Sequence, residues 1–184
     1  MTHILPLGIE RWRAAWIFAG EAHKTQTMPG SGANYLVHLG DVTMEIISAH
    51  LDSPLAQLDL AVQCAILHDT IEDQGVTHAE LSKRFGGPVA DGVLALSKSN
   101  KLPPSERMKD SIARIQQQPM AIWCVKLADR ISNLHGAPVN WTAEKTALYR
   151  ADAIAILNAL GSSNRILAAR LEKLVASYPD GERV

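Results

Sequence analysis

The chain has 184 residues, 47% of them hydrophobic and 20% charged, enough for one well-cored domain and far from the composition of a disordered chain. A formal net charge of -1 and a pI near 6.6 supply no broad positive field for non-specific nucleic-acid binding. The two cysteines, Cys64 and Cys124, stand in apolar stretches without metal-ligand spacing, which argues against a disulfide framework or a zinc knuckle.

Met1 to Arg13 contain no basic region leading into an apolar run, and no segment approaches the roughly 18 uncharged residues needed to span a bilayer. The expected setting is cytoplasmic, with no membrane or nucleic-acid partner. Apolar residues recur at steps of three and four, and alternating β-branched stretches are scarce. This pattern predicts an all-α fold, a single-domain bundle of about 8–10 helices.

In chain order, a first helix is expected over Ile9 to Lys24, followed by a turn at Pro29-Gly30-Ser31-Gly32 and a second helix over Tyr35 to His50. Ser53-Pro54 has the form of an N-cap followed by a first-turn proline. The helix it opens is expected to reach Glu72 or Asp73, with Gly75 closing it. Thr77 and Glu80 have capping-box spacing, predicting a short helix to Phe85. Further helices are expected over Pro88 to Leu96, Ser105 to Gln117 and Met120 to Leu134, punctuated by Pro103-Pro104 and Pro119. Two longer ones, Thr142 to Leu160 and Asn164 to Ser177, flank Gly161-Ser162-Ser163, and a polar tail, expected to fray from about residue 179, ends at Val184.

Charge breaks this apolar pattern in few places. In AILHDTIED, residues 65–73, an apolar helix abruptly presents His68, Asp69, Glu72 and Asp73. On one continuous helix these groups form two adjacent stripes, and carboxylates so close repel unless a cation neutralises them. In VKLADRISNL, residues 125–134, Asp129 and Asn133 fall one turn apart, and His38 lies in YLVHL. Helical bundles assemble metal sites from inward-facing side chains of different helices.

Two imidazoles and two carboxylates make a mixed nitrogen and oxygen set, suited to Mn²⁺, Fe²⁺, Co²⁺ or Zn²⁺ rather than Ca²⁺. Glu72 and Asp73 would then stand beside a metal-activated water as base and acid. Each residue alone also has a plainer reading. His38 reads as a core histidine, Asp129 as a partner of Lys126 or Arg130, and Glu72 with Asp73 as a solvated last turn. Their conjunction favours the metal site.

The chain resembles the hydrolase domain of the RelA/SpoT homologues, an HD-type fold, and particularly the stand-alone small alarmone hydrolases. The likeness rests on AHK at residues 22–24, YLVHL, AILHDTIED, LSKRFGGPVADGV at 81–93, KLPPSER at 101–107 and VKLADRISNL. It implies that His38, His68, Asp69 and Asp129 hold one divalent ion, usually Mn²⁺, and that Glu72 and Asp73 form the catalytic pair. The implied reaction releases pyrophosphate from the 3′ position of an alarmone nucleotide.

Substrate contacts carried over are Asn133, Lys145 and Tyr149, with Lys24, Lys98 and Lys101 as further candidates. Family members carry an Arg-Lys pair before the tyrosine of the Y-x-x-H segment, and its arginine stacks on guanine. This chain has Thr25-Gln26-Thr27-Met28-Pro29-Gly30 there. The departure leaves the base open between ppGpp and ppApp. A 5′-nucleotide or NADPH phosphatase, or a non-catalytic nucleotide-binding scaffold, are the alternatives.

Overall fold

The computed structural model describes residues 7–135 and 141–179. Among them run ten α-helices: α1 (Leu7–Ala22), α2 (Leu36–Asp52), α3 (Leu58–Leu67), α4 (Thr70–Gln74), α5 (His78–Phe85), α6 (Gly87–Leu96), α7 (Pro104–Ile115), α8 (Met120–Asn133), α9 (Ala143–Leu160) and α10 (Arg165–Ser177). A 3-10 turn, Gly161–Ser163, joins the last two. The only extended pairing among the described residues is the bridge between Thr27 and Asn34. The expected all-α bundle is therefore what forms, and residues 180–184 of the expected tail lie outside the described residues.

Helices α2, α3 and α8 pack on one another, with α9 and α10 laid against α8. Leu39, Ile46, Ile66, Leu67, Leu127 and Ile131 are fully buried between the first three, and burial of such side chains contributes roughly 1.5–3 kcal/mol each. Helix α6 closes on this layer through Gly92. A Cβ there would lie 2.6 Å from Ile122 Cδ1 and 2.9 Å from Cys64 Sγ. Among the described residues no helix is long and apolar enough to cross a membrane.

The local signals are partly obeyed. Thr77 Oγ1 accepts from the Glu80 amide at 3.2 Å while Glu80 Oε2 accepts from the Thr77 amide at 3.2 Å, completing the capping box. Asn164 Oδ1 accepts from the amides of Ile166 and Leu167 and so starts α10. Ser53-Pro54, however, does not start a helix. Ser53 closes α2, its amide donating to the Ala49 carbonyl. The Leu55 amide donates to His50 Nδ1 at 3.0 Å, and α3 begins at Leu58.

The helix expected to run unbroken through His68 to Asp73 is also interrupted. Asp69 has φ -97° and ψ 0°, the bridge region frequented by turn and active-site residues. The Thr70 hydroxyl donates to the Leu67 carbonyl at 2.7 Å, a side-chain bond that competes with the helical ladder. His68 and Asp69 thus sit at a corner between α3 and α4 rather than on one straight face.

Candidate metal centre

The corner aims His68 at His38, which α2 presents from the neighbouring layer. Their Nε2 atoms lie 3.2 Å apart, and both side chains are buried. His68 Nδ1 lies 2.8 Å from the Ala65 carbonyl, which can only accept, so Nδ1 carries a proton and Nε2 is the nitrogen that could ligate. His38 Nδ1 is 3.1 Å from Ser132 Oγ, leaving its Nε2 to the same point.

Two carboxylates complete the cluster. Asp69 Oδ2 lies 3.0 Å from His68 Nε2 and 3.7 Å from His38 Nε2. Asp129 Oδ1, from α8, lies 3.5 Å from His38 Nε2 and 3.7 Å from His68 Nε2. His38, His68 and Asp69 offer donor atoms all within 4.8 Å of one another. Two inward-facing ring nitrogens and two carboxylate oxygens fit a divalent cation of borderline hardness.

The surroundings hold these candidate ligands in place. Tyr35 Oη donates to Asp69 Oδ2 at 2.5 Å, and burial, with the charge of Asp69, keeps the phenol protonated by raising its pKa far above the usual range. Asn133 Nδ2 donates to Asp129 Oδ1 at 2.6 Å, and Lys126 Nζ pairs with Asp129 Oδ2 at 2.9 Å. Burial opposes charge on His68, but Asp69 and Asp129 outweigh it and hold its pKa well above the ordinary imidazole value. Burial likewise opposes ionisation of Asp129, and the Lys126 ammonium outweighs it, keeping that carboxyl well below the usual range. These partners are the kind that orient ligands and fix their tautomers.

A cavity of about 350 Å³ opens beside the cluster. Its lining mixes the carboxylates of Asp69, Asp129, Glu72, Asp73 and Asp152 with Lys98, Lys126, Arg130 and the Tyr149 ring. Glu72 accepts from the Lys98 amide at 2.7 Å and from Lys98 Nζ at 3.0 Å. Asp73 accepts from Gln26 Nε2 at 2.7 Å, and half-burial raises its pKa.

The structure therefore gathers nine of the sequence-derived candidates at one place: the four ligand candidates, Glu72, Asp73, Asn133, Lys98 and Tyr149. It leaves the others outside the cavity lining. Lys24 pairs with Glu21 on an exposed turn. Lys101 is exposed, and Lys145 Nζ lies 4.2 Å from the centroid of the Trp141 ring.

Sequence reasoning passed over Tyr35, Gln26 and Arg130. Tyr35 precedes an apolar helix and reads as a core residue. Gln26 also binds Gln74 and His23, three partners that no spacing rule announces. By spacing alone Arg130 reads as a partner for Asp129, a place that Lys126 takes.

A helical bundle with a His-Asp corner facing a second histidine and a second aspartate defines the class, and the chain belongs to the HD domain family, whose match covers residues 15–160. Among individual proteins it is 28% identical over 162 residues to guanosine-3′,5′-bis(diphosphate) 3′-pyrophosphohydrolase MESH1 of Danio rerio, covering 85% of this chain and 88% of that one. To the guanosine-3′,5′-bis(diphosphate) 3′-pyrophosphohydrolase of Vibrio cholerae it is 33% identical over 132 residues, 68% of this chain but 18% of the relative. The fold superposes with a TM-score of 0.80 on the solved structure of a metazoan ortholog of SpoT that hydrolyzes ppGpp and plays a role in starvation responses. That match has 22% identity and covers 92% of this chain and 96% of the other.

Proposed function

We propose that this chain is a metal-dependent alarmone hydrolase, a single catalytic domain that releases pyrophosphate from the 3′ position of a ppGpp- or ppApp-type nucleotide. The observation that carries the reading is a two-histidine, two-aspartate cluster whose aspartates line a cavity together with an acidic pair and three cationic side chains. Support comes also from relatives whose names give that activity.

His38, His68, Asp69 and Asp129 would hold the ion, with Mn²⁺ the proposed metal because mixed imidazole and carboxylate ligands with open positions suit it. Such an ion supplies Lewis acidity toward water and the phosphoryl oxygens. The chain's own groups account for the proton transfers. Glu72, ion-paired with Lys98, would take the proton that water loses as its oxygen bonds to phosphorus. Asp73, whose burial favours the protonated form, would give one to the departing 3′ oxygen. Lys98 offsets charge growing on the phosphoryl oxygens. Asn133 and Tyr149 line the path of the substrate, and exposed Lys24, Lys101 and Lys145 would meet parts of it that project from the cavity.

The test is a screen with Mn²⁺ and ppGpp, ppApp, NADPH and nucleoside 5′-monophosphates, with products separated. Release of pyrophosphate from an alarmone, abolished by Asp69→Ala, is the expected result. Release of inorganic phosphate alone, or turnover unaffected by Asp69→Ala, would overturn the assignment. The same screen decides between guanine and adenine.

A further inference from the structure

Three cations line the cavity, and two of them are committed. Lys98 is bound to Glu72 and Lys126 to Asp129. Arg130 is different. Its side chain is buried, at 3% exposure, yet Nε and Nη1 have no hydrogen-bond partner, and no ion pair reaches the guanidinium among the described residues.

A buried charge without a partner is strongly unfavourable unless something offsets it. Part of the offset is visible. The guanidinium carbon lies 4.0 Å from the centroid of the Tyr149 ring, a contact that attracts the cation while leaving its hydrogen-bonding capacity unspent. Asp152 shares the cavity wall and feels the charge of Arg130, but no ion pair closes between them.

Helix geometry places this group beside the metal cluster. Arg130 follows Asp129 directly and stands one turn beyond Lys126 on α8, so the helix carries a cationic stripe next to the Asp129-Asn133 stripe. A planar fork of donors held over an aromatic ring matches the paired oxygens of a phosphate better than any other group lining the cavity.

We propose that Arg130 is the phosphate-recognition residue of this site, its guanidinium held ready by Tyr149 to take oxygens of the substrate's phosphoryl groups next to the metal cluster. The assignment rests on the alarmone reading for the identity of the substrate but not for the presence of an anion seat. It makes Arg130 a residue that binds, with the chemistry left to the acidic pair.

The test uses the Mn²⁺-loaded chain with Arg130→Met, which keeps a stem on Tyr149, and Arg130→Lys, which keeps charge but loses the fork. For Arg130→Met, KM for the alarmone should rise 10- to 100-fold, about 1.4 to 2.8 kcal/mol at 1.4 per decade, with kcat within about threefold. Arg130→Lys should recover only part of that. The thermal upshift caused by inorganic pyrophosphate should shrink in the same order. Unchanged KM and an unchanged pyrophosphate upshift in folded Arg130→Met would overturn the proposal. If Arg130→Met does not fold, Arg130→Lys decides, and a pyrophosphate response equal to the parent's refutes the fork. Should the parent chain cleave no alarmone, the function proposed above fails, while the pyrophosphate response still judges Arg130.

Discussion

Replacing Tyr35 by phenylalanine isolates the support of a single ligand. Tyr35 Oη is 2.5 Å from Asp69 Oδ2, and the Asp69 side chain is only 18% exposed, so water cannot fully replace the lost donor. A hydrogen bond to a charged group contributes about 1.5–3 kcal/mol net, and loss of such a partner typically lowers metal affinity about 10- to 100-fold. The ring should stay put, because it stacks on His23 at 5.2 Å and 22° and meets His38 at 5.2 Å. Metal-stripped Tyr35→Phe, titrated with Mn²⁺ by calorimetry, is therefore expected to bind about 10- to 100-fold more weakly with an unchanged helical circular dichroism spectrum. An affinity equal to that of the parent would show that Asp69 is oriented by His68 and the corner alone.

The remaining expectations follow from burial and charge. His68 has a folded pKa raised above its unfolded value of about 6.5, so in the metal-stripped chain its contribution to stability is full below that pH and is lost as pH climbs through the raised value. Thermal unfolding of the stripped chain should fall between neutral and alkaline pH, and the upshift on adding Mn²⁺ should grow there; a pH-independent upshift would contradict this. Gly92→Ala places a Cβ against Ile122 and Cys64 and should cost about 1–3 kcal/mol in urea unfolding, whereas an unchanged midpoint would mean that α6 shifts freely. Cys64 and Cys124 are buried and their thiols are pushed up in pKa by that burial, so a thiol reagent at pH 8 should label neither in the folded chain and both in denaturant.

The candidate cluster was legible because its residues are costly where they stand. A histidine or carboxylate inside an apolar helical run needs a partner, and four such residues in three runs share one partner most economically. The acidic pair was legible for the same reason. What periodicity does not carry is competition for backbone groups by side chains. His50 takes the Leu55 amide and Thr70 takes the Leu67 carbonyl. Either choice is open to an unbroken helix, and both move element boundaries.

The second set of residues was hidden for a related reason. Arg130 and Lys126 both lie within reach of Asp129 along α8, at neighbouring and one-turn positions, and sequence spacing treats them as rivals for it. Packing separates them. Lys126 closes the ion pair at 2.9 Å, while Tyr149, arriving from α9, covers Arg130 and leaves its donors unspent. One aspartate can satisfy one of two cations and bind metal through its other oxygen, since Lys126 sits on Oδ2 while Oδ1 faces the two histidines. The cation left over is the one that lines the cavity without a carboxylate of its own, so an anionic ligand gains a partner there without displacing any ion pair in the protein.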